Sequence, residues 1–225
     1  IPQVLLELDD VLAALSKRPS AIPLYHVVGN HCLYVGRGEL TRRLGLTESA
    51  YYACALSPHW RLVVLDSMDV GLDRAQGDSR RDMAEAYLKE KQGEPNAVSW
   101  NGGPSPTQLR WLQTTLESSA TDGVNVIVCG HHPLIAQAAG SEHVAWFSQA
   151  VLDIFESNRS VVRAYFAGHF HSGGYALANG IHHITFPAVL DSDETNAFAT
   201  VQLYLDRIFV RGFGVRATPT RSYLF

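Results

Sequence analysis

Apolar residues recur at helical spacing over residues 4–16, where Val4, Leu5, Leu8, Val11, Leu12 and Leu15 share one side, and Arg18-Pro19-Ser20 ends the pattern. An amphipathic helix is predicted there. Strand-like runs follow at residues 24–28, 51–56, 61–65, 124–129 and 161–167, several of them continuous, as in strands buried on both faces. Helices are predicted between them at 83–91, at 106–119 with Ser105 or its neighbour as cap, and at 144–157. The last third changes character. "GGYALANGIHHITFPAV" and "AFATVQLYLDRIFVRGFGV" alternate apolar and polar residues around Ala178-Asn179-Gly180 and Asp206-Arg207, turn signals between hairpin strands. The pattern is mixed α/β with an antiparallel end. The polar stretches 67–82 and 92–104 make a long excursion of the kind that carries function.

With 225 residues, 46% of them hydrophobic, the chain can bury a sizeable core, and one domain over 1–225 is expected. The formal net charge is −4 and the Lys and Arg residues are scattered, so no footprint exists for nucleic acid or an anionic membrane. Small-molecule partners are favoured. No run approaches the ~18 apolar residues of a membrane span, and the opening "IPQVLLELDD" lacks the basic flank of a signal peptide. Cys32, Cys54 and Cys129 are odd in number and show no zinc-type pairing, so they read as reduced thiols of a cytoplasmic protein. The first residue is Ile1, which reads as a processed or trimmed chain.

Three of the predicted strands end alike: "YHVVGNHCLY", "VNVIVCGHHPL" and "VVRAYFAGHFHSGG" each run from an apolar strand through glycine to histidine. Ligands of open α/β sheets collect beyond the carboxyl ends of strands, and glycine there turns the next side chain into the crevice. His131 or His132, His169 and His171, with the amide oxygen of Asn30, form a neutral nitrogen and oxygen donor set suited to Mn, Fe or Zn. His26, His59, His143, His182 and His183 lack this grammar and read as structural, one of the last two being a candidate for lining the pocket. "WNGG", from Trp100, offers an indole and bare amides for a base or a phosphate, or else a capped turn before the helix at 106.

The order "GNH", "GHHP", "GHFH" resembles the calcineurin-like metallophosphoesterases, whose signature is D-x-H, G-D-x-x-D, G-N-H-[D/E], a histidine, then G-H-x-H. With "WRLVVLDSMD", "QLRWL" and "GIHH" added, residues 23–214 are similar to the manganese-dependent ADP-ribose/CDP-alcohol diphosphatase branch. The resemblance implies a four-layer α/β/β/α sandwich, here N-terminally incomplete, and hydrolysis of a phosphoanhydride in nucleoside diphosphate derivatives such as ADP-ribose or CDP-choline. It implies two divalent ions, manganese foremost, with Asn30, His131 and His169 on the second, His171 on the first, and His31 as general acid at the leaving group. Trp100, Asn101 and Gly102 would contact substrate.

Two departures stand out. Cys32 replaces the acidic fourth letter of G-N-H-[D/E], and neither D-x-H nor G-D-x-x-D precedes Asn30. Asp66 and Asp69 of "LDSMD" have D-x-x-D spacing on the wrong strand and read as loop anchors near the pocket. Without a bridging carboxylate two cations would repel across neutral ligands, so the chain as written is expected to be impaired. A non-catalytic form that binds nucleotide or protein through the same loops is the alternative.

Overall fold

The computed structural model describes residues 2–189, 197–214 and 218–225; Val215, at the end of the second predicted hairpin, lies outside them. Helix α1 (Pro2–Ser16) and a short helix α2 (Arg37–Leu44) precede a hairpin of β1 (Tyr52–Ser57) and β2 (Trp60–Val64). Then come α3 (Ser79–Glu90), α4 (Pro106–Thr121), β3 (Asn125–Cys129), α5 (Ser148–Ser157) and β4 (Val162–Ala167). Two hairpins close the chain, β5 (Gly174–Ala178) with β6 (Ile181–Thr185), and β7 (Phe198–Leu203) with β8 (Arg207–Phe213), to which β9 (Arg221–Leu224) adds.

The sheets have orders β1-β2-β3-β4-β6-β5 and β7-β8-β9. Strands β2, β3, β4 and β6 run parallel, and the first three are largely apolar on both faces, while β6 carries His182, His183 and Thr185 buried. One face packs Val63, Val126, Val128 and Tyr165 against Leu112 and Leu116 of α4 and Val151 and Phe155 of α5. The other packs Trp60, Ile127, Ala164 and Ile184 against Ile208, Val210 and Tyr223 of the small sheet. Helix, sheet and sheet are thus three of the four layers of the expected α/β/β/α sandwich. Ser105 accepts a hydrogen bond from the Gln108 amide and Pro106 opens α4, a favourable start for both residues. Among the described residues no helix is long and apolar enough to cross a membrane.

Several boundaries differ from expectation. Residues 24–28 form no strand; the Tyr52 hydroxyl instead accepts from the His26 amide at 2.8 Å and donates to its carbonyl at 2.9 Å. A strand needs a neighbour, and no strand among the described residues lies alongside. Helix α2 escaped notice because RGELTRRL has two apolar residues and no stripe; a left-handed Gly45 ends it. Residues 144–147 do not join α5, since Ala145 and Trp146 are buried in a loop and Phe147 adopts a φ of 57°.

Candidate metal centre

Strands β2 and β3 end level, with Val64 opposite Cys129, and β4 runs one residue past Phe166, the partner of Cys129, to Ala167. The two histidine loops therefore leave the sheet side by side, and the Gly168 amide donates to the His131 carbonyl at 3.0 Å. Two of the three strand-end glycines are sterically required, whereas a Cβ on Gly168 would meet nothing nearer than 3.8 Å. A Cβ on Gly29 would lie 2.7 Å from the His131 ring, and one on Gly130 would lie 2.2 Å from the Tyr165 hydroxyl. His169 itself has a φ of 64°, a left-handed conformation uncommon outside glycine and of the sort that clusters at functional sites. The "GNH" loop is seated from below by Val28, Leu33, Leu40 and Met68, with Leu8 of α1 against them.

Three donor atoms meet where these loops converge. His131 Nε2 lies 3.0 Å from Asn30 Oδ1 and 3.1 Å from His169 Nδ1. Asn101 fixes the tautomer of His169. Its Nδ2 donates to the carbonyls of Asn96 (3.0 Å) and Glu142 (2.8 Å), so its Oδ1, 3.0 Å from His169 Nε2, must accept a proton from that nitrogen. The lone pair of His169 is left on Nδ1, facing His131. Burial pushes the pKa of His131 down to about 4 and that of His169 to about 3, the neighbouring imidazoles adding to it, so both rings are neutral at pH 7. Neutral imidazoles and an amide oxygen in such proximity fit a divalent transition ion.

His132 also comes within reach of His131 and His169. Its ring is fully buried, packs 4.1 Å from that of His169 at a tilt of 51° and shares a 2.8 Å hydrogen bond with Ser67 Oγ through Nδ1, which makes it a support for His169. The donors open on a cleft of about 390 Å³ whose remaining walls are His31, Tyr34, Trp100, His143 and His171. None of these described lining residues is acidic.

The model of the family described as calcineurin-like phosphoesterase matches residues 4–173. The chain belongs to this family. Among its relatives, the manganese-dependent ADP-ribose/CDP-alcohol diphosphatase of Oryza sativa subsp. japonica is 33% identical over 84% of this chain and 65% of its own length. That of Xenopus tropicalis is 32% identical over 96% and 73% respectively. A crystal structure of a dimetal phosphatase from Danio rerio superposes with a TM-score of 0.84 at 28% identity, covering 98% of this chain and 77% of that one. The chain therefore spans about two thirds to three quarters of the length of these relatives.

Of the expected residues, the phosphoesterase brings Asn30, His131 and His169 together and places His31 and His171 on the exposed side of the same cleft. Trp100 is 50% exposed on its wall. Asn101 and Gly102 stand elsewhere than expected. Asn101 is fully buried with its amide spent on His169 and two carbonyls, and Gly102 is buried with its own carbonyl accepting from Trp146, so neither faces a substrate. That part of "WNGG" is the turn before α4.

His143, set aside from the sequence, lines the cleft with its ring 5.5 Å from His169; lying in a loop with no glycine-histidine grammar, it gave no signal. His182 and His183 do not line it; His182 bonds to Tyr175 and the Leu224 carbonyl, and His183 is buried. Asp66 and Asp69 are engaged as anchors. Asp66 lies 2.6 Å from Arg37, and Asp69 lies 2.9 Å from Arg74 while accepting from Gln108 and Ser105.

Proposed function

We propose that this chain is the catalytic domain of a divalent-metal-dependent hydrolase that cleaves the phosphoanhydride of nucleoside diphosphate derivatives, with ADP-ribose and CDP-alcohols such as CDP-choline as the substrate class. The observation that carries the reading is the meeting of Asn30 Oδ1, His131 Nε2 and His169 Nδ1 within 3.0 and 3.1 Å, on one wall of an open cleft. Asn30, His131 and His169 would hold one ion and His171 a second, manganese being the first candidate and iron or zinc chemically acceptable. Divalent ions bound there supply Lewis-acid charge to phosphoryl oxygens and make water acidic enough to attack at neutral pH.

The protein's own residues do the rest. The cleft's imidazole lining carries no fixed negative charge to repel a diphosphate. His31, on the exposed side, would serve as the general acid that donates to the departing phosphate oxygen. Trp100 offers its exposed indole face to the nucleobase, and Asn101 and His132 hold His169 in the rotamer and tautomer that ligation needs. The partner is a small nucleotide derivative, not nucleic acid or membrane, and the three unpaired cysteines fit a cytoplasmic setting.

The absence of an acidic residue among the described lining favours a second reading, nucleotide binding without turnover. One experiment separates the two. Release of AMP from ADP-ribose that needs manganese and is abolished by His169→Ala supports the hydrolase; saturable nucleotide binding by calorimetry with no product supports the binding module and removes the first reading.

A further inference from the structure

Arg37 opens α2 against the helix dipole, since a cation in the first turn sits at the positive end. Helix formation does not explain it. Its side chain is 7% exposed, and all three guanidinium nitrogens are spent on one neighbouring loop: Nη1 donates to Asp66 at 2.6 Å, Nη2 to the Met68 carbonyl at 2.6 Å and Nε to Asp73 at 3.0 Å. A buried ion pair adds little stability over apolar residues of the same volume, and its best-attested use is to fix register. What Arg37 can register is the loop that carries Asn30.

No strand holds Asn30 from the preceding side, because residues 24–28 form none. Beyond it a succession of backbone hydrogen bonds leads into α2: the Leu33 amide donates to the Asn30 carbonyl at 3.2 Å, Gly36 to Leu33 at 2.9 Å and Leu40 to Gly36 at 3.0 Å. Amide and guanidinium thus ride on one short rod. The seat beneath it, made of Val28, Leu33, Leu40 and Met68, is apolar and non-directional, so it holds the loop down without fixing it to the roughly 0.2 Å that coordination demands. The loop that Arg37 grips is fixed to the framework. The Asp66 amide donates to Gln108 Oε1 and its carbonyl accepts from Gln108 Nε2, both at 2.9 Å, while the Leu65 amide donates to the Cys129 carbonyl at 2.7 Å. Ser67, the next residue, holds His132 through the 2.8 Å bond, and His132 packs against His169. The post that steadies one ligand therefore also sets the distance of another.

We propose that Arg37 is a positioning residue for the metal centre, placing Asn30 Oδ1 against His131 and His169 through its grip on Asp66, Met68 and Asp73, a role that rests on the metal reading above. Manganese affinity is measured by electron paramagnetic resonance, and stability by urea unfolding, for the wild type, Asn30→Ala, Arg37→Ala, the double variant and Leu116→Ala, a change in the separate core beneath α4. Each is titrated at a temperature where circular dichroism shows it folded. Arg37→Ala, which removes a supporting partner, should bind manganese about tenfold more weakly, and Asn30→Ala should lose at least as much. The double variant should fall no more than about threefold below Asn30→Ala alone, because without the amide nothing is left to place. Arg37→Lys keeps the charge without the three-way fork and should lie between the wild type and Arg37→Ala. Leu116→Ala should lose stability and keep its affinity.

Unchanged affinity in Arg37→Ala, losses that multiply in the double variant, or an equal loss in Leu116→Ala would overturn the role while leaving the metal centre standing. A wild type that takes up no manganese removes the metal centre, and this role with it. Should Arg37→Ala not fold, Asp73→Ala loosens the same grip at its outermost arm, where the carboxylate side chain is 14% exposed. It should cost about threefold in affinity and nothing further in the Asn30→Ala background, and a loss that persists there, or none at all, would again overturn the role.

Discussion

Asn101→Ala tests the inference that this side chain serves the metal through His169. The substitution removes an acceptor 3.0 Å from His169 Nε2 and takes from the Glu142 carbonyl its donor at 2.8 Å, while the Asn96 carbonyl keeps the Trp146 indole N–H at 2.8 Å. At about 1–3 kcal/mol for each buried group left unmatched, partly relieved by water entering the space vacated, the fold should lose roughly 2–4 kcal/mol. His169 would also be free to place its proton on Nδ1, the ligating atom. Loss of such an outer partner weakens metal binding by roughly 10–100-fold, equivalent to about 1.4–2.7 kcal/mol. Free manganese measured by electron paramagnetic resonance during titration gives the affinity, and urea unfolding gives the stability. Asn101→Asp sharpens the comparison. It keeps an acceptor for His169 while turning oxygen towards two carbonyls, so it should hold manganese within about threefold of wild type and still lose stability. Unchanged manganese affinity in Asn101→Ala, with a raised KM for nucleotide, would refute the reasoning and make Asn101 a substrate contact after all.

Three further outcomes are expected. Gly130→Ala places a methyl 2.2 Å from the Tyr165 hydroxyl, which donates to the His132 carbonyl at 2.7 Å, and should lower stability by about 1–3 kcal/mol and depress manganese affinity; wild-type thermal melting would contradict it. Asp66, fully buried, has its pKa lifted to about 6 by burial, against the opposing pull of Arg37, from an ordinary value of 3.8. A raised folded pKa favours the fold at low pH and is lost as pH climbs through it, amounting to about 1.4 kcal/mol at pH 5 and under about 0.1 at pH 7. Urea unfolding of wild type and Asp66→Asn at those two pH values should show their difference changing by that amount; a constant difference would rule the titration out. Trp100→Ala should raise KM for ADP-ribose about tenfold with little change in kcat, in line with the ~1–3 kcal/mol of a base stacked on an aromatic side chain, and an unaltered KM would remove the indole from the binding surface.

The strands that carry His131 and His169 were legible because they lie in the parallel core, where residues apolar on both faces leave no competing pattern and a glycine marks where the backbone leaves the sheet. The Ser105-Pro106 start of α4 was legible for a similarly local reason. What the sequence hid is what tertiary contacts create. Residues 24–28 have strand composition, but pairing is a property of two segments, and here a tyrosine hydroxyl takes the neighbour's place. Helix α2 is amphipathic only in the weak sense that Leu40 reaches the core. Asn101 looked like a loop amide open to ligand, and only the folding of residues 96 and 142 around it shows that its hydrogen bonds are taken. His143 reaches the cleft from a short turn opened by Gly140, three residues ahead of it and with no apolar strand before, so the strand-glycine-histidine pattern does not mark it.

On the proposed ligand set, the closely matched ends of β2, β3 and β4 would tie ion capture to correct assembly of the whole sheet. Sliding one strand by a single residue moves its loop by about 3.3 Å, whereas coordination tolerates errors of roughly 0.2 Å. The pairing of β3 with β4 already contains such an irregularity, between Val126 and Ile127, after which Ile127 faces Ala164 and the two histidine loops come into step. A mispaired sheet would thus forfeit its cation at once, so that binding the ion acts as a proofreading step on the architecture and rewards one alignment among neighbours of nearly equal hydrophobic merit.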